Sequence, residues 1–329
     1  MILPELDVRT PASLSEALQM MAESSGARPL AGGTDLLVLL KQRLLPVGPL
    51  IDLRRLPELR AIGTVGENLV IGAGVTLCEI GENALARDLF PALSEAAAAA
   101  ASPNLRNMGT IGGNLCLFPR CLYYNQSRFW RSTLGNCLKT GGESCFAVPG
   151  SLRCYACFSA DCPPPLIALG AKVTVARWCD GQVDSRLIPL EDLYRDDGVR
   201  PLALSPDELV TAIHLPVREG LRSAYGKYRR RAAIDFPLAG VAVSFVLEEN
   251  RFKDIVVVLG AMASAPIMAR EAMALLEGRD YGKEILEAAA EQVAWGTHPV
   301  RNQPGSPEHR RHMTRILFRR MVAKLVTGD

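Results

Sequence analysis

No stretch of this chain approaches the ~18 consecutive apolar residues of a membrane span. The opening residues, Met1-Ile2-Leu3-Pro4-Glu5, carry neither a basic region nor an apolar run of the signal-peptide kind. A cytoplasmic protein with no membrane partner is expected. Charge of one sign is also missing: 37 Lys and Arg stand against 35 Asp and Glu, a net +2 over 329 residues. Such a balance gives no reason to expect nucleic acid or an anionic surface as partner. The basic run from His309-Arg310-Arg311-His312 to Arg319-Arg320 reads as a solvated helix face or a subunit contact. The fingerprint G-x-G-x-x-G is absent where a Rossmann dinucleotide fold would need it, and no internal repeat is visible. What remains is an ordinary globular composition, 48% hydrophobic and 22% charged, long enough for two or three domains.

Cysteine is not scarce, but it is unevenly spread. Cys116, Cys121, Cys137, Cys145, Cys154, Cys157 and Cys162 crowd into one stretch, while Cys78 and Cys179 lie outside it as core or surface thiols. Between the clustered cysteines lie Gly135, Gly141, Gly142, Pro149 and Gly150, with no sustained apolar period. A segment of this kind cannot bury enough apolar surface to fold alone. In a reducing compartment, clustered thiols bind metal more readily than they form disulfides. Thiolate chemistry by itself leaves a four-cysteine zinc site and an iron–sulfur cluster both open.

Two glycine segments frame the first half. Arg28 to Ala31 reads as a strand running into Gly32-Gly33-Thr34-Asp35, with a helix from Leu36 to Arg43 behind it. Free backbone N–H groups and a helix start suit a pyrophosphate, although Gly-Gly-Thr-Asp alone is also an ordinary tight turn. The second segment, Thr110-Ile111-Gly112-Gly113-Asn114, follows Asn107-Met108-Gly109 as a compact turn. Helices are expected at Leu14 to Ala22, Leu77 to Ala86 and, alanine-rich, Phe90 to Ala101; Pro163-Pro164-Pro165 should stop whatever precedes it. Beyond a junction at Glu219-Gly220, strands are expected at Ser223 to Arg229, Ala239 to Leu247 and Phe252 to Leu259. Helices should follow at Pro266 to Leu276, Lys283 to Val293 and Glu308 to Val326, giving an α+β unit with an antiparallel sheet.

Taken together, Pro29 to Leu36, Thr110 to Asn114, Asp161 and the Lys227 of Tyr225-Gly226-Lys227 resemble the FAD-binding subunit of the molybdenum hydroxylases, the xanthine dehydrogenase family. The resemblance covers essentially the whole chain. It implies an α+β fold: a two-part FAD-binding domain over residues 1–219, in lobes of 1–58 and 59–219, then a C-terminal α+β domain over 220–329. It implies that Pro29, Leu30, Ala31, Gly32, Gly33, Thr34, Asp35 and Leu36 wrap the FAD pyrophosphate, with Asp35 near its ribityl or phosphate end. Thr110, Ile111, Gly112, Gly113 and Asn114 would close from the other side. Asp161 matches a polar residue at the flavin, Lys227 one that approaches the isoalloxazine, and Ala100 and Val210 positions that pack on the cofactor. Ala100 stands where animal relatives carry an aromatic residue.

The cysteine-rich insertion, residues 116–160, is similar to that of the β subunits of 4-hydroxybenzoyl-CoA reductases. That likeness implies a [4Fe–4S] cluster on Cys121, Cys137, Cys145 and Cys154, spaced C-x15-C-x7-C-x8-C. Cys116, Cys157 and Cys162 stay unassigned, and the pair Cys154-Tyr155-Ala156-Cys157 lets Cys157 compete with Cys154. The implied role is electron transfer. A ferredoxin-type donor would feed the cluster and FAD, and electrons would pass to a [2Fe–2S] small subunit and a molybdopterin large subunit. The complex would be a dimer of heterotrimers that removes a phenolic hydroxyl reductively. No catalytic residue is expected on this chain. Two other readings stand beside it: the FAD subunit of an NAD-linked hydroxylase of purine, aldehyde or aromatic substrates, and a zinc-stapled scaffold without enzymatic role.

Overall fold

The computed structural model describes residues 2–328. The chain opens with β1 (Val8–Arg9), α1 (Leu14–Glu23), β2 (Arg28–Leu30), α2 (Leu36–Lys41) and β3 (Leu50–Asp52). Helix α1 begins where the Ser13 hydroxyl accepts from the Glu16 amide, and it buries Ala17, Leu18 and Met21, the face expected from their spacing. The three strands pair in parallel in the order β1-β3-β2. Asp52, at the end of β3, is 4% exposed and paired with a half-exposed Arg54. The Arg54 side-chain hydrogen bond holds the Asp52 carboxyl below its ordinary 3.8. A depressed carboxylate stabilises the fold above its unfolded value, and that contribution is lost as pH falls through the folded one. Asp52→Asn should therefore cost about 1 kcal/mol near neutrality, where Arg54 is partly screened. Urea unfolding should show that deficit shrinking in acid; an equal deficit at both pH values would contradict the pairing.

A second lobe follows: β4 (Ile62–Val65), β5 (Asn68–Gly72), α3 (Leu77–Glu82), α4 (Ala84–Leu89), α5 (Pro91–Ala99), α6 (Pro103–Arg106) and α7 (Ile111–Leu115). After α8 (Arg128–Leu134) and α9 (Pro163–Ala168) come β6 (Lys172–Cys179), β7 (Gln182–Pro189) and β8 (Leu209–Pro216). The sheet is antiparallel, in the order β4-β5-β8-β6-β7. The alanines of α5 let it lie close to its neighbours: Ala92, Ala96 and Ala97 are buried. They also bring it against β9, where the Glu95 carboxylate accepts from the Tyr225 amide at 2.8 Å.

The last part holds β9 (Leu221–Tyr228), β10 (Ala239–Glu248), β11 (Arg251–Gly260) and β12 (Ile267–Met268), antiparallel in the order β12-β11-β10-β9. Helices α10 (Arg270–Leu276), α11 (Lys283–Trp295) and α12 (Pro307–Thr327) follow. The strand period of two splits β10 between two cores. Val241, Val243 and Phe245 face the C-terminal helices, with Leu317 and Phe318 of α12. Ala242 joins the core of the second lobe, and the Ser244 hydroxyl donates to the Ala168 carbonyl at 2.6 Å.

Several expectations need correction or refinement. Pro163-Pro164-Pro165 follow an irregular stretch and also open α9, where the first-turn N–H groups have no intrahelical partner to lose. The helix expected over Leu77 to Ala86 breaks at Asn83, whose side chain caps a new helix by accepting from the Ala86 amide. The compact turn expected at Thr110 to Asn114 is helical, capped by the Thr110 hydroxyl. The region from Pro266 starts as strand β12 before turning helical. Finally, the cysteine-rich stretch is not wholly irregular, since α8 lies inside it. No helix of the described residues is long and apolar enough to cross a membrane.

Candidate functional site

The first glycine segment touches, backbone to backbone, the Met108–Gly109 stretch that leads into the second. A Cβ on Gly32 would lie 1.8 Å from the Met108 carbonyl oxygen, so only glycine fits. Gly33 has φ +69, the left-handed region that glycine enters without penalty. Among the described residues, the backbone N–H groups of Gly32, Gly33, Thr34, Asp35 and Leu36 donate to nothing. That row of free donors follows β2, with Pro29, Leu30 and Ala31 leading into it. The second segment is different. Ile111 donates to the Val75 carbonyl and Gly112 to that of Ala73, each at 2.9 Å, Asn114 to that of Thr110 at 2.9 Å, and Gly113 to the Thr110 hydroxyl at 3.1 Å. The Asn114 side chain accepts from the Cys162 amide at 3.1 Å. Free donors thus belong to the first segment, while the N–H groups of the second are satisfied by Val75, Ala73 and Thr110. Val210 lies in β8, buried in the same core, next to Thr211, whose carbonyl accepts from Ala73 at 2.9 Å.

A buried polar cluster stands at the end of α5. Alternation along β9 places Tyr225 and Lys227 on one face. Asp161, 3% exposed, accepts from the Tyr225 hydroxyl and the Lys227 ammonium, each at 2.9 Å. Lys227 also donates to the Ala99 carbonyl at 2.9 Å, and Arg229 to the same oxygen at 3.0 Å. Two cations at a helix C-terminus suit its dipole. Ala100 caps this helix and is buried. Burial pushes the Asp161 carboxyl up and the Lys227 ammonium down, and their contact opposes both shifts. Burial also holds the Tyr225 phenol well above its ordinary value, so it stays a donor.

All nine cysteines are free thiols. Cys121, Cys137, Cys145 and Cys154 line one pocket together with Tyr124 and Lys139. The Thr140 hydroxyl donates to the Cys137 sulfur at 3.9 Å. The Lys139 ammonium donates to the Pro119 carbonyl at 2.9 Å and lies 4.0 Å from the centre of the Phe118 ring. Burial lowers its pKa to about 8, against the pull of Cys154, Cys121 and Cys137. Burial pushes the Cys121 thiol up to about 11. Cys116, Cys157 and Cys162 do not line this pocket. Cys162 sits in the core of the second lobe, and the fully buried Cys157 sulfur accepts from Arg310 at 3.7 Å.

Sequence reasoning missed Tyr225 and Arg120 as site residues. Tyr225 had a signal, its i, i+2 spacing from Lys227 on a strand. Arg120 had none: it pairs with Asp35 across 85 residues.

Two family models match the chain: the FAD binding domain in molybdopterin dehydrogenase over residues 4–218, and the CO dehydrogenase flavoprotein C-terminal domain over residues 223–325. The carbon monoxide dehydrogenase medium chain of Afipia carboxidovorans is 30% identical, with 98% of each chain covered. The xanthine dehydrogenase FAD-binding subunit of Escherichia coli O157:H7 is 26% identical, covering 96% of this chain and 94% of that one. The solved carbon monoxide dehydrogenase of Hydrogenophaga pseudoflava superimposes with a TM-score of 0.82 at 25% identity over 99% of both chains. With matching models over most of its length, an open N–H row on a glycine segment and an FAD-domain fold, the chain belongs to the FAD-binding medium subunits of the molybdenum hydroxylase family.

Proposed function

We propose that this chain is the flavin-carrying electron-transfer subunit of a molybdenum hydroxylase, working beside a molybdopterin large subunit and a [2Fe–2S] small subunit. The observation that carries the reading is the row of unpartnered N–H groups from Gly32 to Leu36, which suits the FAD pyrophosphate. When bound, FAD supplies the exchange between one- and two-electron traffic. The chain's own residues bind and orient it. The glycine segment would donate to phosphate, the Met108–Gly109 backbone packed on Gly32 fixes that segment, and Lys227 holds a positive donor beside Asp161 in a buried site. The relatives act, by name, on xanthine, carbon monoxide, glyceraldehyde and nicotine. They favour an oxidative complex acting on a purine, aldehyde or aromatic substrate, with NAD as acceptor. Stopped-flow mixing of the assembled complex with NADH tests this, because such a flavin should also bleach rapidly in reverse.

One observation favours a second reading: the four cysteines on a single pocket. Among the described residues, no three His, Cys, Asp or Glu side chains gather for one metal ion. Four thiolates suit either a zinc ion or an iron–sulfur cluster. A cluster on Cys121, Cys137, Cys145 and Cys154 would suit a low-potential, ferredoxin-type donor and reductive dehydroxylation of the 4-hydroxybenzoyl-CoA kind. Iron and sulfide analysis of single variants checks the ligand set. Cys145→Ser should lose most of the iron and keep FAD, while Cys157→Ser should keep both. Iron lost from Cys157→Ser but retained in Cys154→Ser would sink the assignment. Rapid reduction by ferredoxin and not by NADH would favour this reading over the first.

A further inference from the structure

The cysteine loop leaves and re-enters the flavin domain through a narrow neck. Arg120 and Cys157 pair across it, amide to carbonyl in both directions, at 2.8 and 2.7 Å. A segment from near the end of the chain grips both sides of this neck. The Asn302 carbonyl accepts from the Leu122 amide at 2.9 Å, the Asn302 side-chain amide donates to the Tyr155 carbonyl, and the Gln303 side chain donates to the Arg120 carbonyl at 3.2 Å. Arg310 holds that segment in turn. It is 1% exposed and donates to the Val300 carbonyl at 3.2 Å, the Leu238 carbonyl at 3.0 Å and the Ala261 carbonyl.

The Arg120 side chain leaves the neck toward the glycine segment. It pairs with Asp35, which lies within the free N–H row at the N-cap position of α2 and makes no capping hydrogen bond there, and stacks over the Phe236 ring at 5.1 Å. Its Nε is buried and has no partner. Its backbone thus belongs to the neck of the cysteine loop and its side chain to the phosphate-facing segment. Cys121, the first cysteine of the pocket, is the next residue.

We propose that Arg120 is the positioning residue that fixes the cysteine pocket against the flavin cradle, and that its guanidinium offsets the anionic charge of Asp35 and of a bound pyrophosphate. The proposal rests on the flavin reading for its second half only; the mechanical link between neck and cradle stands apart from it. Without Arg120, the Asp35 carboxylate would face phosphate uncompensated, and α2 would lose its tie to the neck.

The test uses the full-length chain. FAD is titrated by flavin fluorescence, and hydrogen exchange is followed separately in flavin-free protein. Arg120→Met should weaken FAD binding about tenfold or more, the scale of a charge-assisted hydrogen bond. It should also speed exchange at Leu37 and Leu39, whose amides bond to the Gly33 and Asp35 carbonyls. Arg120→Lys should recover most of the FAD affinity, which a purely space-filling role would not predict. Asn302→Ala leaves Arg120 and Asp35 in place but removes the side-chain bond to the Tyr155 carbonyl, so it should speed exchange at Cys157, and with it Leu37 and Leu39. Wild-type affinity and exchange in Arg120→Met, or equal loss in the Met and Lys variants, overturns the proposal. If the wild-type chain takes up no FAD, the flavin reading fails, and exchange alone decides: faster exchange at Leu37 and Leu39 in Arg120→Met supports the link, and no change overturns it.

Discussion

Gly32→Ala is expected to weaken FAD binding by at least about tenfold and to destabilise the flavin-free protein by about 2 kcal/mol, within the range of overpacking in a tight site. The added methyl would lie 1.8 Å from the Met108 carbonyl oxygen, 2.5 Å from its carbon and 3.0 Å from the Gly109 nitrogen. All three are backbone atoms, so no rotamer change relieves the contact. Relief requires the first glycine segment and the Met108–Gly109 backbone to part, and the free N–H row would move with the former. Gly113 is less constrained, because a Cβ there meets only the Thr110 hydroxyl at 3.2 Å. Titration with FAD and thermal unfolding of the apoprotein check the ranking. Wild-type affinity with an unchanged Tm in Gly32→Ala would mean that the segments do not meet as described.

Lys227→Met should have the larger effect on stability, about 3–5 kcal/mol, the scale for removing one partner of a buried ion pair. Asp161 would keep the Tyr225 hydroxyl but lose its only cation within 3 Å. The pH dependence has a definite sign. Burial already raises the Asp161 carboxyl above its ordinary 3.8, and loss of Lys227 raises it further. A raised carboxyl contributes stability below its unfolded value and loses it as pH rises through the folded one. The deficit of Lys227→Met should therefore be larger at about pH 8 than at about pH 5, since acid moves Asp161 toward its protonated form. Urea unfolding at both values measures it, and Asp161→Asn in the same background should recover much of the loss. A pH-independent deficit, unrelieved by Asp161→Asn, would rule out an uncompensated carboxylate as its cause.

Periodicity carried the regular parts of this fold. The i, i+4, i+7 set Leu14, Leu18 and Met21 shows on the sequence, as do the alternating strands from Ser223 onward, because each depends on neighbours within a few residues. The glycine segments were visible as composition. Their difference was not: whether an N–H group is free depends on Ala73 and Val75, which lie well before Gly112 in the chain. Pro163 to Pro165 were ambiguous because proline both ends and begins helices, and only the burial of α9 decides which. The pairing of Arg120 with Asp35, and the grip of Asn302 on Leu122 and Tyr155, join residues distant in sequence. No local pattern announces such contacts.

The grip on the neck also sets an order of events during synthesis. Asn302 reaches back 147 residues to Tyr155, and Arg310 reaches back 153 to Cys157. At a synthesis rate of ~5–20 residues per second, the cysteine loop waits roughly 7–30 s after its last residue is made before the segment that fastens it emerges. During that interval the loop is held downstream by earlier-made residues: the Gly198 amide donates to the Cys154 carbonyl at 2.8 Å and the Ser264 hydroxyl to the same oxygen at 3.0 Å. The neck is therefore fastened last, after the sheet and helices on both sides of it have been made.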